Sequence, residues 1–385
     1  MPTMGDIFRA EFPGYARARG LRGVVRQGGW AIMACRTAAL GGHAEYCPAG
    51  HFVECHYNSC RHRACPQCHG LETERWLRRQ MSRYALNCGY HHVIFTVPQE
   101  LTRVWQYNRV LFSNLMFQAA RDALLELLQD TKYLGALPGL VGNLHTWKRS
   151  GENHVHQHFL VTAGGWTPEG WKSCADDYFV PYNCLRELFR DKLVCSLHRA
   201  LKRDELVVPS VMCGQLVTML KDVGAREWHV KVMERYEGGQ GVLTYFSRYV
   251  RGGPISNPQI LSYARGVVTY RYRDRETGAD RQVEQSAWAF MDRILEHVPE
   301  KGFRTVRYYG LFAPTRRAAL VQCRGWLGMT AYEEAVKLTL AAYLEQLEIE
   351  PVTQCPRCGQ RLKCQELPRA VAHAPPREKG YHVAA

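Results

Sequence analysis

No run of about 18 consecutive apolar residues, the length a bilayer-spanning helix needs, occurs in this chain. The opening stretch MPTMGDIFRAEF has no apolar core of the kind that marks a secretory signal. No internal repeat is present, which argues against a solenoid or propeller. Acidic residues are in short supply, with 36 Asp and Glu against 50 Lys and Arg and a net charge of +14. That balance argues against a polycationic partner, and without an apolar run no membrane partner is expected. It favours a polyanion, with nucleic acid the first candidate. The 385 residues suffice for about two or three domains with a substantial core.

Cysteine, by contrast, is plentiful at 15 residues. With no export signal the expected compartment is a reducing cytoplasm, where clustered thiols are metal ligands more often than disulfides. Five of them crowd into CPAGHFVECHYNSCRHRACPQC, residues 47–68. Thiolate pairs two residues apart, as in Cys65-Pro-Gln-Cys68, can grip a tetrahedral Zn²⁺. The preferred four ligands are Cys47, Cys60, Cys65 and Cys68. His51 and Cys55 are alternates, because the stretch offers more donors than one zinc needs. Arg61 and Arg63 beside them suggest a knuckle that faces DNA. A second group, Cys355-Pro-Arg-Cys358 with Cys364, supplies three thiols and no clear fourth ligand.

Elsewhere the pattern mixes helices with strands of the antiparallel type, so an α+β fold is expected. Residues 1–40 are helical and basic, Glu72–Ala85 is an arginine-rich helix, and HHVIFTVP (91–98) is a strand stopped by Pro98. Leu101–Leu128 has one helical period. Leu185–Leu201 and Pro209–Val223 are further helices, and EWHVKVMER and GVVTYRYRD are strands. The stretches LVGNLHTW (140–147) and HVHQHFLVTA (154–163) flank the turn-rich Ser150-Gly151-Glu152-Asn153.

This second stretch sets His154, His156 and His158 at alternate positions, hence on one face of a strand. An even loop pairing Arg149 with His154 would put His145 opposite His158. His145, His156 and His158 then form a triad that can hold a divalent cation with positions open for a phosphate oxygen. His154, toward the strand edge, is a supporting or substitute ligand. In YFSRYVRGG, Tyr245 and Tyr249 lie one helical turn apart, followed by Arg248 and Arg251. A phenol in such a place can attack a phosphodiester, and an arginine can stabilise the developing charge.

Together these stretches resemble the rolling-circle transposases of the insertion sequence ninety-one family, within the HUH endonuclease superfamily. ALGGHAEYC…HYNSCRHRACPQC resembles that family's zinc-binding segment, and YHHVIFTVPQEL the first strand of its catalytic domain. LHTWKRSGENHVHQHFLVTAGG resembles its histidine segment, and YFSRYVRGGPISNPQI its tyrosine helix. HVPEKGFRTVRYYGLFAPTRR resembles its closing segment. The family's HUH motif falls on His156-Gln157-His158, with Gln157 where a hydrophobic residue is usual. Where many members have Cys-x-x-Cys, this chain has Gly50 followed by His51, which makes His51 a replacement ligand. The nucleophiles map onto Tyr245 and Tyr249, with Arg248 beside them and Arg61, Arg63 and Arg251 contacting DNA.

The resemblance implies an HUH fold, a central antiparallel sheet with flanking helices, behind a small zinc module. Expected domains are 1–88 (helical and zinc-binding), 89–315 (catalytic) and 316–385 (a helical segment with Cys-x-x-Cys and a disordered tail). It implies structural Zn²⁺ and catalytic Mg²⁺ or Mn²⁺. Single-stranded DNA at transposon ends and target DNA are the implied partners, in a bacterial cytoplasm at the nucleoid or a plasmid. A tyrosine would take the 5′ phosphate and release a 3′ hydroxyl. A replication initiator or relaxase would share this chemistry, but 385 residues leave little room for a helicase or primase. A zinc-dependent DNA-binding regulator would explain the thiols and the charge, but neither the histidine strand nor the tyrosines.

Overall fold

Helix α1 (Met4–Arg19) opens on a capping box between Thr3 and Asp6 and ends at Gly20 in the left-handed conformation. Helix α2 (Gly23–Ala34) follows, then the hairpin β1 (Gly42–Tyr46) and β2 (Val53–Tyr57), and helix α3 (Gly70–Tyr84). The computed structural model describes all residues except 52, 175–178, 213, 248–249, 251, 275–276, 331–334, 351 and 371–385, and except the side chains at 240, 242 and 245. The expected tail therefore lies outside the described residues.

Strand β3 (Tyr90–Thr96) leads into α4 (Gln99–Tyr107) and α5 (Arg109–Gln129). The single helix expected over Leu101–Leu128 is thus two. The break is Asn108, a buried amide that bonds back to the Val104 carbonyl and across to the backbone of Val207. A short polar side chain that satisfies backbone groups in this way ends a helix that apolar periodicity alone would continue. The long hairpin β4 (Leu137–Trp147) and β5 (Asn153–Trp166) comes next, with β6 (Trp171–Ser173) at its far end. Helices α6 (Tyr182–Lys202) and α7 (Leu216–Gly224) precede β7 (His229–Val232) and α8 (Gly239–Ser247). Helix α7 begins later than the expected Pro209. Then come β8 (Ile260–Ala264), β9 (Val267–Arg273), β10 (Asp280–Ser286), α9 (Ala287–Leu295), β11 (Val306–Gly310) and α10 (Arg317–Trp326). Helix α11 (Leu340–Gln346) and β12 (Lys363–Leu367) complete the described chain.

The strands form three antiparallel sheets, so the α+β expectation agrees with the fold. The largest runs β11-β4-β5-β3-β7, with β6 on β5. Alternation along β3, β4 and β5 gives this sheet two faces. Val93, Phe95, Phe159, Val161, Leu140 and Leu144 face α4 to α7 in one continuous core. Val141 and Leu160 on the opposite face pack with Leu243 and Phe246 of α8, Trp76 and Leu77 of α3, and Leu320 of α10.

A second core joins distant parts of the chain. Phe8, Phe12 and Ile32 of α1 and α2 pack against Val268, Tyr270, Phe290 and Ile294 of β9 and α9. Tyr15 donates to the Asp292 carboxylate, and Tyr263 and Trp288 both donate to Glu11. A boundary drawn near residue 88 therefore divides this core between two units. The third sheet, β12-β1-β2, likewise unites the two ends of the chain.

Candidate active site and metal clusters

The hairpin β4–β5 pairs His145 with His156 and Asn143 with His158. The expected register, with His145 opposite His158, is corrected by two residues. Its cause is the turn: Lys148 and Glu152 are joined backbone to backbone, Gly151 has φ +83°, and an irregularity falls between His145 and Trp147. A slip of two positions, unlike a slip of one, keeps every side chain on its face. The second core grips this turn: Tyr270 Oη and Arg293 both donate to the Ser150 carbonyl, and His297 Nε2 donates to that of Gly151.

His145, His156 and His158 each offer a ring nitrogen within 4.8 Å of the others. Each ring is also held at one nitrogen by a neighbour. His156 Nδ1 donates to the His154 carbonyl at 2.8 Å, which leaves Nε2 with its lone pair. His158 Nδ1 lies 2.7 Å from His92 Nε2, and His145 Nε2 lies 3.0 Å from the Asn143 amide. Rings fixed at one nitrogen present the other in a set direction, the usual arrangement behind metal-binding imidazoles. His154 contributes here through its backbone carbonyl. Its ring, near Lys148 and His229, is held below the ordinary histidine pKa mainly by burial.

His92 and Asn143 were not singled out from the sequence. His92 sits on the same face because Ile94, two residues on, pairs with His158. The adjacent His91-His92 on a strand was the available signal, since one of two neighbours must face the site. Across β3, the row of His156 and His145 continues through Thr96 to His229, and that of His158 through Ile94 to Lys231. His229 and Lys231 are exposed, and Lys231 places a positive charge at the open side of the patch.

Helix α8 lies on this histidine-bearing face, with Leu243 and Phe246 buried. Gly239, at its start, passes so close to β3 that a Cβ there would sit 3.0 Å from the Ala85 backbone and 3.2 Å from the Tyr90 ring. Tyr245 belongs to this helix, and Tyr249, Arg248 and Arg251 lie outside the described residues. Val250, between Tyr249 and Arg251 in sequence, and Gly252 line the same cavity as Trp147. Trp147 in turn stacks on His145, with ring centroids 5.5 Å apart. A separate open groove is lined by Arg79, Arg83, Arg304 and Arg307 with Trp76 and Tyr308.

The thiols divide into two clusters. Cys60, Cys65 and Cys68 stand with Cys35, all four sulfurs within 4.8 Å, and Cys47 and His51 stand with Cys355 and Cys358. The expected grouping of Cys47 with Cys60, Cys65 and Cys68 is corrected, because β1 and β2 carry Cys47 away from the Cys60–Cys68 loop. Cys35, at the end of α2, takes its place. A lone cysteine 25 residues upstream of Cys60 carries no spacing signal, and only the packing of α2 brings it in. Cys60 and Cys68 sulfurs are 3.6 Å apart. Cys68 is pushed to a low pKa because the Cys35, Cys60 and Cys65 thiols surround it with hydrogen bonds. Four thiols so placed suit Zn²⁺. Cys55 and Cys364, by contrast, are exposed and belong to neither cluster. Arg61 is exposed, whereas Arg63 turns inward and donates to the Phe303 carbonyl and Thr305 Oγ1. These donors tie the cysteine loop to the approach to β11.

Residues 139–319 match the family model described as "Putative transposase", and residues 7–97 that described as "Transposase zinc-binding domain". The chain is 33% identical over 373 residues to "Putative transposase y4qJ" of Sinorhizobium fredii, covering 93% of each protein. The chain belongs to the insertion sequence ninety-one family of transposases. It is also 31% identical over 301 residues to the "Transposase for insertion sequence element IS801" of Pseudomonas savastanoi pv. phaseolicola, covering 76% of this chain and 72% of that protein. No solved structure matches the transposase. The zinc-domain match and the thiol clusters together support structural zinc in this transposase. None of its described helices is long and apolar enough to cross a membrane.

Proposed function

We propose that this transposase, on an HUH fold, nicks and rejoins single-stranded DNA at element ends through a tyrosine of segment 245–249, facing a divalent cation held by His145, His156 and His158. The supporting observation is the convergence of three braced imidazoles on the sheet face against which α8 is packed. Three neutral nitrogen donors with open positions suit Mn²⁺ by ligand type and Mg²⁺ by abundance. The bound ion would polarise the scissile phosphate. The phenol oxygen forms the new bond to phosphorus, the bond to the 3′ oxygen breaks, and the phenol's proton is exchanged for one on the leaving hydroxyl. A 5′-phosphotyrosine and a free 3′ hydroxyl result, and the other tyrosine can accept a second strand. Lys231 and His229 at the open side, with Arg248 and Arg251 beside the nucleophile, would attract and hold the phosphates. The groove lined by Arg79, Arg83, Arg304 and Arg307 suits the phosphate backbone of single-stranded DNA. Cys35, Cys60, Cys65 and Cys68 would hold the structural zinc.

The test is incubation with single-stranded element ends and Mn²⁺, followed by denaturing electrophoresis and peptide mapping of any protein–DNA adduct. Wild type is expected to yield an adduct on Tyr245 or Tyr249, and the double Tyr245→Phe/Tyr249→Phe variant none, with folding and DNA binding kept. An adduct mapped outside this segment would refute the reading.

A further inference from the structure

We propose a second zinc-type metal centre at Cys47, His51, Cys355 and Cys358, which fastens the C-terminal strand to the N-terminal module. Two of its ligands lie far outside the residues matched by the zinc-binding family model, which end at 97. The inference is independent of the DNA chemistry proposed above.

The four donor atoms lie within 4.8 Å of one another. Cys47 and Cys358 sulfurs are 3.5 Å apart, and Cys47 Sγ is 4.0 Å from His51 Nδ1. Tetrahedral zinc with Zn–S bonds of about 2.3 Å needs sulfurs roughly 3.7 Å apart, whereas a disulfide needs about 2.05 Å. All three cysteines are free. The ligands come from two similar knuckles. Each begins Cys-Pro and turns at a glycine with positive φ: Gly50 (+74°) donates to the Cys47 carbonyl, and Gly359 (+70°) to that of Cys355.

The sheet sets the two knuckles face to face. Tyr46, the last residue of β1, pairs with Lys363, the first of β12. Cys47 therefore leaves the sheet at the end where the 355–358 turn enters it. Energetics point the same way. Between residues 352 and 370 nearly every described residue is exposed, and Cys355, at 3% exposure, is the buried exception. Strand β12 has almost no apolar surface to bury, and backbone pairing alone leaves so short an edge marginal. A four-ligand zinc site supplies what the missing side chains do not. Among the described residues the remaining cluster, His43, Glu45 and His56 on β1 and β2, has no fourth ligand, and His56 Nε2 lies 3.7 Å from a Glu45 carboxylate oxygen. We assign it no metal.

The experiment counts metal in the full chain carrying His156→Ala and His158→Ala, so that the histidine cluster does not contribute. Elemental analysis should give two zincs per chain, falling to one on adding Cys355→Ser and Cys358→Ser. Cobalt exchanged for zinc should show two thiolate-to-metal absorption sets, one of which disappears in that variant. His51→Cys should keep both metals while changing the spectrum of one, a result that needs the chain to be folded. Two zincs retained after the double serine change would overturn the proposal. So would an unaltered cobalt spectrum in His51→Cys, or a Cys47–Cys358 disulfide in the native protein by mass spectrometry.

Discussion

The histidine cluster takes its ligands from two strands that are hydrogen-bonded neighbours, whereas the thiol clusters take theirs from loops, a helix end and a turn remote in sequence. Around the histidines, the sheet is already held by apolar cores on both faces. Around Cys355 and Cys358 little else holds the chain, whereas Cys35 and Cys65 are also buried in the second core. In the proposed reading a metal is a functional addition in the first region and a structural member in the second.

The largest expected effect is on the thiol side. Cys65→Ser should unfold the cysteine loop and α3's approach to the sheet, because a structural zinc contributes on the order of 10 kcal/mol to its module. Loss of zinc with loss of protection in residues 58–70 by hydrogen exchange would check this. Next comes the histidine side: His156→Ala should lower nicking by about a thousandfold or more, the scale of metal-assisted charge stabilisation. Its melting temperature should stay near wild type, and a collapse of the fold there would erase the contrast between the two regions.

A third test uses pH. His297, beneath the histidine hairpin, is pushed down to about 4, chiefly by burial. Unfolded, it takes a proton near its ordinary value of about 6.5. Its contribution is complete above that value and is lost as pH falls toward 4, up to about 3 kcal/mol. His297→Gln should therefore lose less stability than wild type between about pH 7 and about pH 5 in paired denaturant titrations. A smaller effect is expected at His92→Phe, which keeps a ring but releases His158. Manganese affinity should weaken about 10- to 100-fold by calorimetry, with zinc content unchanged. The smallest is Gln157→Leu. Gln157 is fully buried on the face away from the histidines, and neither amide atom has a hydrogen-bond partner among the described residues. Leucine removes that desolvation cost and should raise stability by about 1–2 kcal/mol, read as a higher urea midpoint with the same slope.

How much of this could be read from the sequence follows the same division. The histidines were legible because a strand's two-residue period assigns a face whatever the register, so the two-residue shift at Gly151 moved partners without moving faces. The division of the α4–α5 stretch was hidden, because Asn108 breaks the helix through a hydrogen bond to Val207, about a hundred residues on. The partition of the thiols was hidden for a like reason. Local spacing can suggest that Cys65 and Cys68 share a metal, but it contains nothing about α2 folding back to deliver Cys35 or about β12 returning to β1. The bracing residues His92 and Asn143 lay in strands that were recognised, yet their roles depend on which strand pairs with which.

The β1–β12 pairing also bears on how the protein is made. Gly42 pairs with Leu367, so the two are joined only after some 325 intervening residues have been synthesised. While the ribosome is still at work, the β1 edge of the early hairpin is open and the knuckle after Tyr46 faces no partner. An interrupted product, even one long enough to contain every histidine and tyrosine of the proposed centre, would leave that edge bare. Formation of β12 thus distinguishes chains that include Leu367 from shorter ones, and a release assay on arrested nascent chains should find the early cysteine loop protease-sensitive until the segment around Leu367 has emerged.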